Sequence, residues 1–239
     1  MKRIILLSAL CLLFTGLGCR HVMAQPRKLQ YRPYIDERKF HYGFLFGFNI
    51  QDMELSNTGY ANPETGEQWY ADVDNYNPGF SVGVLGEMKL NKHLSLRLSP
   101  TMHFGQNNIL FREQNSGEIS KQSVKTTYIA VPVHVKCAAE RFNNYRPYIT
   151  AGVSPMVNLT VKKQKQLLVK RFDTMIEVGF GCDFYLPFFK LIPELKFSFS
   201  PLNILQKERN DLLDANLLKY TQSVDGVSSK MITLSFYFE

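Results

Sequence analysis

Eight stretches of the chain alternate apolar and polar residues with a period of two, each over about ten positions, the length a tilted strand needs to cross a bilayer. They are 40–50, 80–90, 94–104, 127–137, 149–159, 174–184, 189–199 and 231–239. In the first, Phe40, Tyr42, Phe44, Phe46, Phe48 and Ile50 share one face, while His41, Gly43, Leu45, Gly47 and Asn49 share the other. The last repeats the pattern with Ile232, Leu234, Phe236 and Phe238 against Thr233, Ser235 and Tyr237. Across all eight, the apolar phase contains no Asp, Glu, Lys or Arg, whereas the other phase carries Glu87, Lys89, Arg97, Lys136, Glu177, Asp183, Lys190, Glu194 and Lys196.

A soluble barrel of the lipocalin type also alternates, with its apolar phase turned inward around a ligand. Three features favour lipid outside. The polar phase is rich in Gly, Ser and Thr, which suit a narrow lumen; the apolar phase is bulky and aromatic near the strand ends; and the charges on the polar phase are of both signs and can pair. The pattern therefore predicts an all-β fold, an eight-stranded antiparallel transmembrane β-barrel. Only closure removes the edges whose unpaired backbone groups hydrocarbon does not tolerate.

Connection lengths alternate as such a barrel requires, with short periplasmic turns at 91–93, 140–146 and 185–188 and long outer loops at 51–79, 105–126, 162–171 and 200–230. An even strand count places Gln25 and Glu239 on the same, periplasmic side. Pro132 and Pro193 fall inside strands, and a bulge is expected at each. Leu212, Leu213, Leu217 and Leu218 within 211–220 allow either a short amphipathic helix over the barrel mouth or plain loop.

Export explains the first residues. Met1-Lys2-Arg3, an uncharged apolar run to Leu17 and Val22-Met23-Ala24 read as a signal peptide cleaved between Ala24 and Gln25. The rival reading, a lipidated Cys19, has Gly16 where a lipobox wants Leu. The domain plan is a signal at 1–24, an N-terminal periplasmic arm at 25–39 and an outer-membrane barrel at 40–239. Cleavage removes Lys2, Arg3 and Arg20 and lowers the formal charge from +7 to +4. Without a basic stripe, nucleic-acid binding has no footing; the one dense basic run, Lys162-Lys163-Gln164-Lys165, falls in a loop. Of the cysteines, Cys137 and Cys182 remain, on the lipid-facing phase of non-adjacent strands, and read as buried free thiols.

An eight-stranded interior is only wide enough for side chains to fill, so a solute channel is not expected. Glu87, Arg97, Lys136, Glu177, Asp183, Glu194 and Lys196 are expected to form a structural network of buried ion pairs and hydrogen bonds. His103 and His134 share the lumen with Ser99 and Ser154, but no nucleophile motif surrounds either serine, and catalytic residues are not assigned. Metal, cofactor and small-molecule motifs are absent, and the glycine pairs Gly43/Gly47 and Gly179/Gly181 have strand spacing, not phosphate-loop spacing. The segment 57–77 sets Tyr60, Trp69, Tyr70 and Tyr76 among Asp, Asn and Gly, a composition that suits a contact surface or a self-packed loop. Phe236 and Phe238 are expected to carry the barrel-insertion signal and to close the ring against Phe44 and Phe46.

The strand motifs resemble the PorT family of Bacteroidetes outer-membrane barrels. The resemblance lies in His41-Tyr42-Gly43-Phe44 with Gly47 and Asn49, in 128–133, in Arg146-Pro147-Tyr148 leading to Gly152, in Glu177-Val178-Gly179 leading to Gly181 and Asp183, and in Pro193-Glu194-Leu195 with Asn203. It implies an accessory or scaffold role in protein secretion by the type nine system, without catalysis, with other secretion-system proteins as partners. The alternative is a porin-like or cell-surface barrel that binds ligand or adheres through its outer loops.

Overall fold

The structure, a computed structural model, describes residues 30–60, 66–114, 117–160, 168–206 and 218–239. The signal peptide with Cys19, the Ala24–Gln25 junction, the basic run at 162–165 and residues 211–217 of the possible mouth helix lie outside them. Eleven antiparallel strands are present among the described residues: β1 (Phe40–Asn57), β2 (Trp69–Tyr76), β3 (Pro78–Lys89), β4 (Leu94–Leu98), β5 (Thr101–Glu113), β6 (Ile119–Ala130), β7 (Val133–Ala138), β8 (Tyr145–Asn158), β9 (Phe172–Tyr185), β10 (Lys190–Phe199) and β11 (Val224–Phe238). A short helix, α1 (Leu218–Gln222), precedes β11.

These pieces run as eight. β2 and β3, β4 and β5, and β6 and β7 are single strands interrupted at Asn77, at Ser99-Pro100 and at Val131-Pro132. The ring closes where β1 meets β11, with Phe44 opposite Phe238 and Phe46 opposite Phe236, and the Phe44 and Phe238 rings stack at 5.0 Å. The expected bulges are not found. Pairing on either side of Pro132 keeps the same register with both neighbouring strands, and Pro193 sits in unbroken register with Phe236 of β11. The sheet tolerates Pro132 because its missing donor is compensated locally: its carbonyl still accepts from the Ser99 N–H at 3.3 Å, and the Ser99 carbonyl is taken by the Thr101 hydroxyl at 2.6 Å.

The outward face of the ring is apolar over a belt bounded on β1 by Phe40 and Ile50, along β3 by Phe80 and by Leu90 just past its end, and on β11 by Ile232 and Phe238. At strand tilt such a belt is about 25 Å tall, the height of a lipid-facing band. Cys137 and Cys182 are free thiols on this lipid-facing side, where the sequence placed them, but Cys137 is exposed and Cys182 half-buried, so neither is buried within the protein.

Several strands do not stop at the belt. β1, β2, β5, β6 and β11 continue into the segments expected to be long loops, and there the alternation changes sign. Asp52, Glu54, Lys121, Lys125 and Lys230 point outward, while Met53, Ala71, Ile109, Phe111 and Val227 are buried inside. Within the belt the barrel is polar inside and apolar outside; beyond it, the barrel has the opposite polarity.

Candidate functional site

The inward phase of the belt brings the predicted charges together. The Arg97 guanidinium, fully buried, donates to Glu87 at 2.9 Å and to Glu194 at 2.6 Å, and lies over the rings of Tyr148 and Tyr237. Both phenols donate to Glu194, Tyr148 at 2.8 Å and Tyr237 at 3.1 Å. Lys136 reaches Asp183 at 2.9 Å and Glu87 at 3.5 Å, and Lys196 bridges Glu177 at 3.4 Å and Glu194 at 3.7 Å. Adjacent strands place alternate residues on one face, so register supplies these contacts: Glu87 is opposite Arg97, and Ser95, whose hydroxyl donates to Glu87 at 2.6 Å, is opposite Lys136.

Glycine makes room for this cluster. A Cβ at Gly181 would fall within 2.6 Å of the Tyr148 ring and of the Pro193 carbonyl, so only glycine lets the tyrosine lie across β9 to reach Glu194.

Four further groups extend the network beyond the seven predicted residues. His134 joins Glu177 at 2.7 Å; Lys190 joins Asp183 at 3.7 Å and Glu239 at 2.5 Å; His41 joins Glu239 at 2.5 Å. All lie on the inward phase or at its rim, which was the available signal. The carboxylate of Glu239 sits just past β11. Burial raises its pKa, but the hydrogen bond with His41 and the charge of Lys190 outweigh it and hold the group at about 2.

Residues 31–39 of the N-terminal arm fold back against the protein at this end. A single 3-10 turn, Ile35–Glu37, tucks Ile35 into the protein, and Asp36 becomes a hub for the short turns around it. Its carboxylate accepts from the Tyr185 hydroxyl at 2.7 Å and pairs with Arg141 at 3.5 Å and Arg146 at 3.8 Å, and its carbonyl accepts from the Lys89 ammonium at 2.5 Å. The Arg141 guanidinium stacks 3.6 Å over the Tyr185 ring, and Arg32 donates to the Glu239 carbonyl at 3.1 Å.

Neither His103 nor His134 pairs with Ser99 or Ser154, the serines considered from the sequence. The His103 ring bonds to Ser81 at 2.8 Å, His134 bonds to Glu177, and the Ser99 and Ser154 hydroxyls have no hydrogen-bond partner among the described residues. Among those residues no group of His, Cys, Asp and Glu has the arrangement of a metal site.

At the opposite end the interior is an apolar core of Met53, Trp69, Ala71, Ile109, Phe111, Ile204, Leu205, Tyr220 and Val227, among others. Tyr220 of α1 meets Trp69 at 5.0 Å and Phe111 at 4.9 Å, edge to face, and caps it. Trp69 is only 2% exposed, which corrects its assignment to a contact surface: it is the self-packed reading that applies to this residue. Tyr60 and Tyr70 are exposed; nothing is described of the Tyr76 side chain. Among the described residues the lumen thus holds ion pairs in the terminal half and, beyond a polar band that includes Asn49, Gln51, Asn107 and Thr126, an apolar core.

A family model described as an outer membrane protein beta-barrel domain matches residues 23–206. Solved structures similar to the chain include Neisserial surface protein A (10% identity, 82% of this chain and 97% of that one, TM-score 0.40). They also include OprG from Pseudomonas aeruginosa (12% identity, 83% and 92%, TM-score 0.43) and Ail of Yersinia pestis (13% identity, 84% and 99%, TM-score 0.36). No curated protein matches the chain.

Proposed function

Since the chain belongs to the outer membrane protein beta-barrel domain family, we propose that it is a non-enzymatic barrel that works at the cell surface, binding ligand or adhering through its extramembrane end. The observation that carries this reading is the continuation of β1, β2, β5, β6 and β11 beyond the lipid belt as a wall with its own apolar core. A barrel that served only as a membrane anchor would not need a second core outside the bilayer. The side chains that fill the lumen argue against a solute pore, since among the described residues both the ion-pair half and the apolar half are packed. In this reading the end that carries Glu239 and Asp36 is periplasmic and the long-strand end faces outward. The test is a set of outward substitutions, Tyr70→Ala, Arg112→Ala and Lys121→Ala, in cells that display the barrel. Reduced adhesion or ligand capture at unchanged surface abundance is expected; unchanged capture with all three combined overturns the reading.

The second reading is the secretion accessory role implied by the resemblance to PorT. It draws support from the order of its motifs along the mature chain, and from the exposed aromatics Tyr34, Phe142 and Phe188, which offer a contact surface at the terminal end. Deleting the gene and finding extracellular cargo still exported would remove it.

A further inference from the structure

The ring of ladders is continuous around the belt but not around the extramembrane wall. β1 pairs with β3 only as far as Ile50 opposite Pro78; from Gln51 onward its one ladder partner among the described strands is β11. β2, on the other side of the break, pairs only with β5. The cause is local. The strand is interrupted at Asn77, whose side-chain amide donates to the Gln106 carbonyl at 3.2 Å, and its register against β5 shifts between Val73 and Asn75. Both features draw β2 toward β5 and away from β1.

What remains is a window with a defined frame. Its lower sill is the Ile50–Pro78 pair, and its upper end is closed by the Asn57 side chain, which donates to the Ala71 carbonyl at 3.0 Å and accepts from the Ala71 N–H at 2.8 Å. Asn57 thereby makes the two bonds that a paired strand residue would make. A cleft of about 530 Å³ runs along this gap and takes in the clamp itself, lined by Asp52 to Leu55 and Asn57 on one side and by Tyr70 to Val73 on the other. The Lys89 N–H donates to the Lys39 carbonyl across the β1–β3 seam, so odd-numbered residues of β1 direct their backbone groups to that side. Before the register shift at Ser56/Asn57, these include Met53 and Leu55, which face the window.

The side chains around the window sort by face. Asp52, Glu54 and Asp72 stand on the outward face, with Lys230 the one cation among the described lining residues, already paired to Glu54 at 2.5 Å. Met53, Leu55, Ala71 and Val73 belong to the apolar core or pack against it. We infer that the window takes an extended polypeptide segment with alternating basic and apolar residues, which adds to the free edge of β1 as a strand. Backbone pairing supplies affinity; the inserted strand's outward side chains fall between Asp52, Glu54 and Asp72 and must be cationic, and its inward side chains meet Leu55 and Val73 and must be apolar. This goes beyond the surface-binding reading and rests on it for the orientation of the window to the cell exterior.

Trp69 supplies the readout, being the only tryptophan of the chain and lying at the start of β2 in the core behind the window. The full mature protein in nanodiscs is titrated with acetyl-Lys-Val-Lys-Val-Lys-amide, with the Glu-Val-Glu-Val-Glu counterpart and with the lysine peptide N-methylated at alternate amides. The lysine peptide is expected to shift Trp69 emission saturably, and both analogues to bind at least tenfold more weakly. Asp52→Asn, Glu54→Gln and Asp72→Asn combined should weaken the lysine peptide about tenfold, a loss matched by raising salt in the unsubstituted protein. Heat-modified migration on gels verifies that the variant folds. Equal binding of the N-methylated peptide overturns strand addition, and no binding of any peptide overturns the site. Adhesion of cells displaying the barrel is measured in parallel: adhesion that persists without peptide binding defeats the window and leaves the surface reading, whereas peptide binding without adhesion defeats the surface reading alone.

Discussion

Two ion pairs of the same length show how far burial decides what a charge contributes. Arg97 meets Glu194 and Lys92 meets Glu140 at 2.6 Å each, but the first pair is fully buried and the second is exposed on both sides. Arg97→Ala leaves Glu87 and Glu194 without their main counter-charge in the lumen, and unfolding in urea, followed in micelles by the loss of strand circular dichroism, should show a loss of about 3 to 5 kcal/mol. Lys92→Ala should leave the same curve unmoved, because solvent already screens that pair. Glu239 adds a pH dependence whose sign follows from its depressed pKa. A carboxylate held at about 2 stabilises the fold fully above the ordinary value of 4.5, and that stabilisation is lost as pH falls from 4.5 toward 2. Glu239→Gln should therefore remove a component on the order of 2 kcal/mol from stability at pH 6 and flatten the acid limb between pH 4.5 and 2, as read from thermal midpoints. The seven predicted network residues were legible because inward phase and opposite charge are both visible in a sequence. His41, Lys190 and Glu239 were not assigned to it because they gather at the rim, where contacts depend on how the arm and the last residue fold back.

At the scale of strands, the interruptions at Ser99-Pro100 and Val131-Pro132 are places where register survives the loss of ladder donors. A sequence shows the missing N–H of Pro132 and suggests a bulge; it does not show that Thr101, two residues beyond Ser99, carries the hydroxyl that takes over the orphaned carbonyl. The compensation makes a double-mutant prediction. Thr101→Val alone should cost about 1 kcal/mol, since the Ser99 carbonyl then lacks a donor in a low-dielectric wall. In a Pro132→Ala background the restored N–H can donate to that carbonyl, and the same Thr101→Val change should cost clearly less. Equal costs in the two backgrounds, measured from urea midpoints, would show that the hydroxyl does not stand in for the missing ladder bond. The same scale explains the loops expected at 51–79 and 105–126. A strand that leaves lipid for water must reverse which phase is apolar, so Phe48 and Ile50 outward give way to Met53 and Leu55 inward. A reading that follows one phase sees the pattern stop there, although the backbone continues as strand.

The whole molecule is then a closed barrel and, on the five strands that outrun it, a wall of opposite polarity, each stabilised by what its surroundings allow. Inside the belt lipid covers the outer face and the lumen holds paired charge; beyond it water covers the outer face and the lumen holds Trp69, Ile109 and Phe111. The closed ring and the belt were legible because the apolar phase is free of charge over eight stretches, while the second core was not, since its residues come from segments that read as polar loop. If the halves are stabilised separately, they should also open separately. Phe111 is fully buried in the outer core, and Phe111→Ala should cost about 3 to 5 kcal/mol in that half, where no lipid can move in to fill the cavity. Amide hydrogen exchange in nanodiscs should then show faster exchange in 106–113, 119–125 and 224–229, with 40–50 and 232–238 as protected as before. The ladder between β1 and β11 runs through both halves, so it is the sharpest place to look: protection should fall on the Met53–Ser229 side of Ile50–Ile232 and hold on the Phe44–Phe238 side. A uniform loss across that ladder would mean that the barrel unfolds as one unit and that the outer core stabilises the membrane half as much as its own.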